Sequence, residues 1–145
     1  MKRLSLLAIA LCASAAPVHA QSAPTSSDDA AIERLIAPSL EALKAGKARQ
    51  AVDAFLGTNP MISGKASEMA YLSSQIDSTF GLYGPISACQ LAETRNIGAW
   101  VEQRLYHCQH PALVTRWIFL SVKGSKGWSA ANMSFDDKVA EALGG

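Results

Sequence analysis

The chain has 145 residues, with 13 basic, 12 acidic and three histidine side chains and a formal net charge of +1. It contains no basic block, so the electrostatic footprint that nucleic acid requires is missing. No polybasic or amphipathic surface helix points to a lipid surface either.

The N-terminus reads as an export signal. Lys2 and Arg3 precede an apolar run from Leu4 to Ala16, broken only by Ser5 and Ser14. Pro17, Val18, His19 and Ala20 follow, and Val18 and Ala20 fill A-x-A-like positions, so cleavage is expected after Ala20. A spanning helix needs about 20 apolar residues, and this run is shorter and ends in Pro17. A lipid on Cys12 does not fit, because Leu11 rather than a small residue precedes it and the apolar stretch continues beyond it. Residues 1–20 are therefore assigned to a cleaved signal peptide. The remaining 125 residues carry 11 basic and 12 acidic side chains, a net charge of −1. The expectation is a soluble periplasmic or secreted protein, with no membrane insertion after cleavage and one domain of ordinary size. Residues 21–27, rich in Ser, Ala, Pro and Thr, form a disordered leader in this reading, and the domain spans 28–145.

The first half of the domain has helical periodicity. Ser27 or Asp28 is placed to cap a helix, with Asp29 and Glu33 near its positive end. Ile32, Leu35, Ile36, Leu40 and Leu43 recur at helical spacing. Pro38 inside that stripe predicts a kink or a split, and Gly46 a stop. Ala48, Ala51, Val52, Phe55 and Leu56 predict a second short helix, ended by Gly57 to Pro60. A third opens at Ser63 or Ser67, carries Met69, Leu72, Ile76, Phe80 and Tyr83, and closes at Gly84-Pro85.

The second half predicts four strands, 86–97, 100–109, 113–123 and 128–135, separated by turn signals at Gly98, His110-Pro111 and Gly124 to Gly127. Asp136 is placed to cap a last short helix carrying Val139 and Leu143. Helices followed by an antiparallel meander make an α+β chain, with the helices packed on a four-stranded sheet.

Gly98-Ala99 fits a two-residue type II′ turn. That turn sets Arg95 opposite Glu102, Glu93 opposite Arg104, Leu91 opposite Tyr106 and Cys89 opposite Cys108. Two opposite-charge pairs and the only two cysteines of the mature chain fall into one register. The competing three-residue loop, Asn96 to Gly98, sets Cys89 opposite Leu105. Paired strand residues lie within disulfide range, and an exported chain is in an oxidising compartment, so a Cys89–Cys108 bond is expected. A redox pair would call for C-x-x-C at a helix start, which these cysteines lack. In the second hairpin, Ile118, Leu120 and Val122 are expected against the helices. Trp117 and Phe119, with Asn132 and Ser134 opposite, are expected on the other face as a pocket wall or partner surface.

Other chemistry has little support. Strand alternation turns His107 and Cys108 to opposite faces, and His110 precedes a turn, so no metal site is expected. No serine has a nucleophile-elbow setting, and no glycine-rich phosphate loop is present. Asp77 and Asp53 sit beside apolar stripe positions and are the candidate carboxylate bases, with solvated helix faces as the competing reading. Tyr71, Tyr83, Tyr106 and Trp117 line either a ligand pocket or plain core.

The three helices, the run Trp117 to Leu120, Gly127-Trp128 and the run Asn132 to Asp137 together resemble exported bacterial proteins of the cystatin-like α+β roll type. These are related in form to ketosteroid isomerase and nuclear transport factor two. The resemblance implies a curved sheet around a helix, often with a cavity, and a homodimer through the sheet. Its members include isomerases, dehydratases, ligand carriers and interaction modules. The isomerases' base Asp, Tyr and second acid have no residue-by-residue match here, so fold analogy assigns no activity. The resulting expectation is a non-catalytic periplasmic module that binds a small ligand or an exported protein through Trp117, Phe119, Asn132 and Tyr83, without cofactor. One alternative is a small cofactor-independent isomerase- or dehydratase-like enzyme. The other is a structural or inhibitory partner of an exported protein.

Overall fold

In a computed structural model, the described residues are 26–139. The export signal, most of the leader and most of the last predicted helix lie outside them. Helix α1 (Ser26–Lys44) runs unbroken through Pro38. Proline in a helix interior costs about 3 kcal/mol. Pro38 itself is exposed, while Ile32, Ile36, Leu40 and Leu43 of the same helix are buried. At about 1.5–3 kcal/mol for each fully buried aliphatic, their packing outweighs the one backbone bond lost. Helix α2 (Ala48–Leu56) turns Ala48, Ala51, Val52, Phe55 and Leu56 inward. Ser39 Oγ of α1 donates to the carbonyl of Ala51 at 2.8 Å and fastens the two helices together.

A short helix the sequence reading lacked, α3 (Pro60–Ser63), occupies the connection to α4 (Ala66–Tyr83). Asn59 caps α3, its Oδ1 accepting from the N–H of Met61 at 3.0 Å, and Pro60 stands at the helix start. Gly84 ends α4 at φ +81°, a conformation that favours glycine, and an added Cβ would meet the ring of Pro111 at 3.2 Å.

Four strands follow, β1 (Ala88–Asn96), β2 (Val101–Gln109), β3 (Val114–Gly124) and β4 (Gly127–Asp136), in one antiparallel sheet ordered β1-β2-β3-β4. The helices lie on one face. The first hairpin departs from expectation near its turn: Gly98, Ala99 and Trp100 all belong to the loop, and the N–H of Ile97 donates to the carbonyl of Val101 at 2.8 Å. Arg95 therefore faces Gln103 and Glu93 faces Leu105, so neither expected charge pair forms. A bulge at Ala92 absorbs one residue and restores the expected pairing beyond it, with Leu91 opposite Tyr106 and Cys89 opposite Cys108. The two cysteines form a disulfide with Cα atoms 4.1 Å apart.

The second hairpin corrects the face assignment. Trp117, Phe119 and Ser121 are fully buried against the helices, and Ile118, Leu120 and Val122 are half-buried on the outer face. Large rings fill the gap between sheet and helices: Phe119 meets Phe55 edge-on at 5.0 Å and Tyr106 at 5.7 Å, and Trp117 stacks on Phe135 at 4.7 Å. Ala130 faces Ser121 as expected, but a bulge follows it. Met133 then lies opposite Phe119 and Asn132 opposite Leu120. Met133 goes into the core and Asn132 to solvent.

Candidate functional site

The four residues expected to form one binding site do not converge. Trp117 and Phe119 are core. Asn132 is exposed on β4, and Tyr83 lies at the end of α4, half-buried. The Tyr83 hydroxyl donates to Asp137 Oδ2 at 2.9 Å, and its ring meets that of His110 at 5.9 Å. The hydrogen bond to Asp137 and that carboxylate's charge raise the Tyr83 pKa. His110 is buried, its ring nitrogens bonded to the carbonyl of Gly84 at 2.8 Å and to Thr115 Oγ1 at 3.1 Å. It clamps the end of α4 to the sheet. Trp117 Nε1 donates to the same Thr115 oxygen at 2.8 Å, which is how this indole is satisfied inside the core.

Neither candidate base is enclosed. Asp53 and Asp77 are exposed and share a wide groove between α2 and α4, where Asp53 pairs with Arg49 at 2.9 Å. Among the described residues no group of three His, Cys, Asp or Glu side chains is placed to hold a metal ion. No described helix is long and apolar enough to cross a membrane.

The buried chemistry lies elsewhere, on the inner face of β2. Arg104 and Glu102, each 1% exposed, are joined by an Arg104 Nε to Glu102 Oε1 bond of 2.7 Å. The same guanidinium reaches Glu33 Oε2 at 2.9 Å and the carboxylate of Asp29, both on α1. Burial by itself would lower the Arg104 pKa. The hydrogen bond and charge of Glu102, joined by the charge of Asp29, outweigh it and raise it. Tyr106 is buried beside this group, its hydroxyl 3.4 Å from Glu33, and burial followed by the Glu33 charge raises its pKa. Sequence reading placed Arg104 and Glu102 in cross-strand pairs. Their i, i+2 spacing, which puts both on one face of β2, is the signal for a shared inner position.

Next to this group, Leu40, Leu91 and Tyr106 help line an open cleft of about 410 Å³ between α1 and β1. The opposite, outer face of the sheet carries Val101, Leu105, Ile118, Leu120 and Val122, all half-buried. At its border Arg116 holds Asp136 through two bonds of 2.7 and 2.8 Å. The hydrogen bond from Arg116 keeps the Asp136 carboxyl below its ordinary pKa, against a smaller opposing effect of burial.

Helices on one face of a four-stranded antiparallel meander, with an aromatic core between them, define a cystatin-like α+β fold. Two solved structures share it. One is a domain of unknown function with a cystatin-like fold from Nostoc punctiforme, with TM-score 0.52 and 12% identity over 82% of this chain and 83% of that one. The other is an NTF2-like protein of unknown function from Shewanella baltica, with TM-score 0.52 and 13% identity over 79% of this chain and 97% of that one. No protein-family model and no curated protein matches the chain.

Proposed function

We propose that this chain is a non-catalytic protein-interaction module of an oxidising space outside the cytoplasm, and that it pairs with a second copy of itself through the outer face of its sheet. The filled interior carries this reading. Trp117, Phe119 and Phe55 occupy the space between helices and sheet, where a small ligand would lie in a hollow roll. The buried Arg104 and Glu102 neutralise each other, and the buried His110 has both ring nitrogens tied to Gly84 and Thr115. The export signal read over residues 1–20 and the Cys89–Cys108 bond favour the oxidising compartment.

The partner face follows from area and polarity. Ile118, Leu120 and Val122 run along β3 beside Val101 and Leu105 of β2, which flank Gln103, and the charges of Arg116 and Asp136 at the border are paired with each other. Four strands of about ten residues span about 30 Å by 17 Å, roughly 500 Å² per copy. Two copies then bury roughly 1,000 Å², the lower limit for a specific interface. Analytical ultracentrifugation of the protein lacking residues 1–20 should give a dimer. Ile118→Arg should give a monomer with an unchanged circular dichroism spectrum. A wild-type monomer at every concentration up to the solubility limit would overturn the assignment of this face.

A further inference from the structure

Helix α4 packs on α2 and stands away from β4, so a trough runs between the helix and the edge of the sheet. Its two stretches, about 280 and 540 Å³, meet at Leu72, Gln75 and Met133. β4 is an outermost strand, and among the described residues no strand pairs with its free edge. Where that edge begins, the α2–α3 connection takes a strand's place. Asn59 Nδ2 donates to the carbonyl of Ala130 at 2.7 Å, and the N–H of Ala130 donates to Thr58 Oγ1 at 3.2 Å. Past the bulge at Ala131, residues 132–135 line the trough, and no described side chain repeats this bonding there.

We propose that this trough binds a neutral, extended peptide segment of another protein, which adds to β4 as a fifth strand and points alternate side chains at α4. The edge supplies backbone donors and acceptors, a chemistry that an extended polypeptide matches and a compact metabolite does not. Met69, Leu72, Met133 and Phe135 make an apolar lining, and Gln75, Ser78, Thr79 and Ser134 add uncharged polar groups. The only charges on the lining, Lys65 and Glu68, lie together at one end and pair with each other at 3.7 Å. A charged segment would lose solvation here without gaining a partner. The other sheet edge differs in charge: β1 also has a bulge, at Ala92, but carries Glu93 and Arg95 beyond it. Charged side chains blunt an edge. The trough's apolar residues on β4, Met133 and Phe135, are on the helix side of the sheet, while Asn132 and Ser134 lie beside Leu120 and Ile118 on the outer face; this inference does not rest on the dimer.

The test uses an uncharged, end-blocked octapeptide alternating valine and serine, titrated into ¹⁵N-labelled protein. Amide shifts should concentrate at residues 131–136 and on α4. Methylating alternate peptide nitrogens should weaken binding at least tenfold. Gln75→Trp, an exposed position facing the trough, should abolish binding while leaving the melting temperature and sedimentation unchanged. Equal binding by the N-methylated peptide, or by one with glutamate in place of serine, would overturn the proposal. So would shifts centred on the outer face, no shifts with valine, leucine or phenylalanine versions, or a peptide-free dimer that Gln75→Trp dissolves.

Discussion

Arg104 and Glu102 lie together inside the fold, and neither charge tolerates the loss of the other. Breaking a buried pair by removing one partner typically costs about 3–5 kcal/mol. Arg104→Met would strand Glu102, at 1% exposure, without its counterion. Urea denaturation of the variant should show a loss of about that size. Asp136 carries a pH dependence. Arg116 lowers its pKa, so its contribution is present above the ordinary carboxylate value and is lost as pH falls through the lowered one. Asp136→Asn should flatten the acid limb of the stability curve. Trp117→Ala should cost about 3–5 kcal/mol as a core cavity, and Ile118→Ala clearly less, because Ile118 is only half-buried. This reverses the order expected from sequence. Both faces of β3 are apolar, so alternation alone does not say which one is inside. The larger side chains are inside, where the Phe119 ring meets that of Phe55.

Among the four strands, β1 is the least buried. It pairs with β2 and is otherwise exposed, with Cys89 half-buried at its start. The disulfide joins residues 19 apart, worth about 3 kcal/mol in the chain-entropy view. Replacing Cys89 and Cys108 together by Ala should lower stability by about 2–4 kcal/mol. Amide exchange in β1 should accelerate well before that of β3, which hydrogen–deuterium exchange resolves by strand. The elements themselves were legible. Periodicity and punctuation placed α1, α2, α4 and all four strands to within a few residues. The cysteine pairing was legible through an accident of arithmetic: Trp100 lengthened the loop by one residue and the bulge at Ala92 absorbed one in the strand. The extra loop residue gives Arg95 and Glu93 neighbours other than those expected, and the bulge at Ala131 does the same for Asn132, since bulges leave little trace in a sequence. Helix α3 was hidden for another reason: four residues are too few to show a period.

At the scale of the molecule, the α+β plan followed from helices first and strands second, and the cystatin-like likeness held in the fold comparison. The site did not follow, because the surfaces that remain open depend on how far α4 stands from β4 and on which face of β3 the rings take. The strand order also bears on the time course of folding. Each strand pairs with its neighbour in sequence, so the sheet closes short loops. The ties from α1 to the strands span far more chain: 71 residues from Glu33 to Arg104, 95 from Asp28 to Lys123, 100 from Asp28 to Trp128. Closing those distances costs the most chain entropy, so the meander should assemble first and α1 should dock onto it last. Asp28→Ala should then speed unfolding while leaving the refolding rate nearly unchanged, a pattern that stopped-flow chevron plots read directly. The first of the described helices would be the last piece to lock.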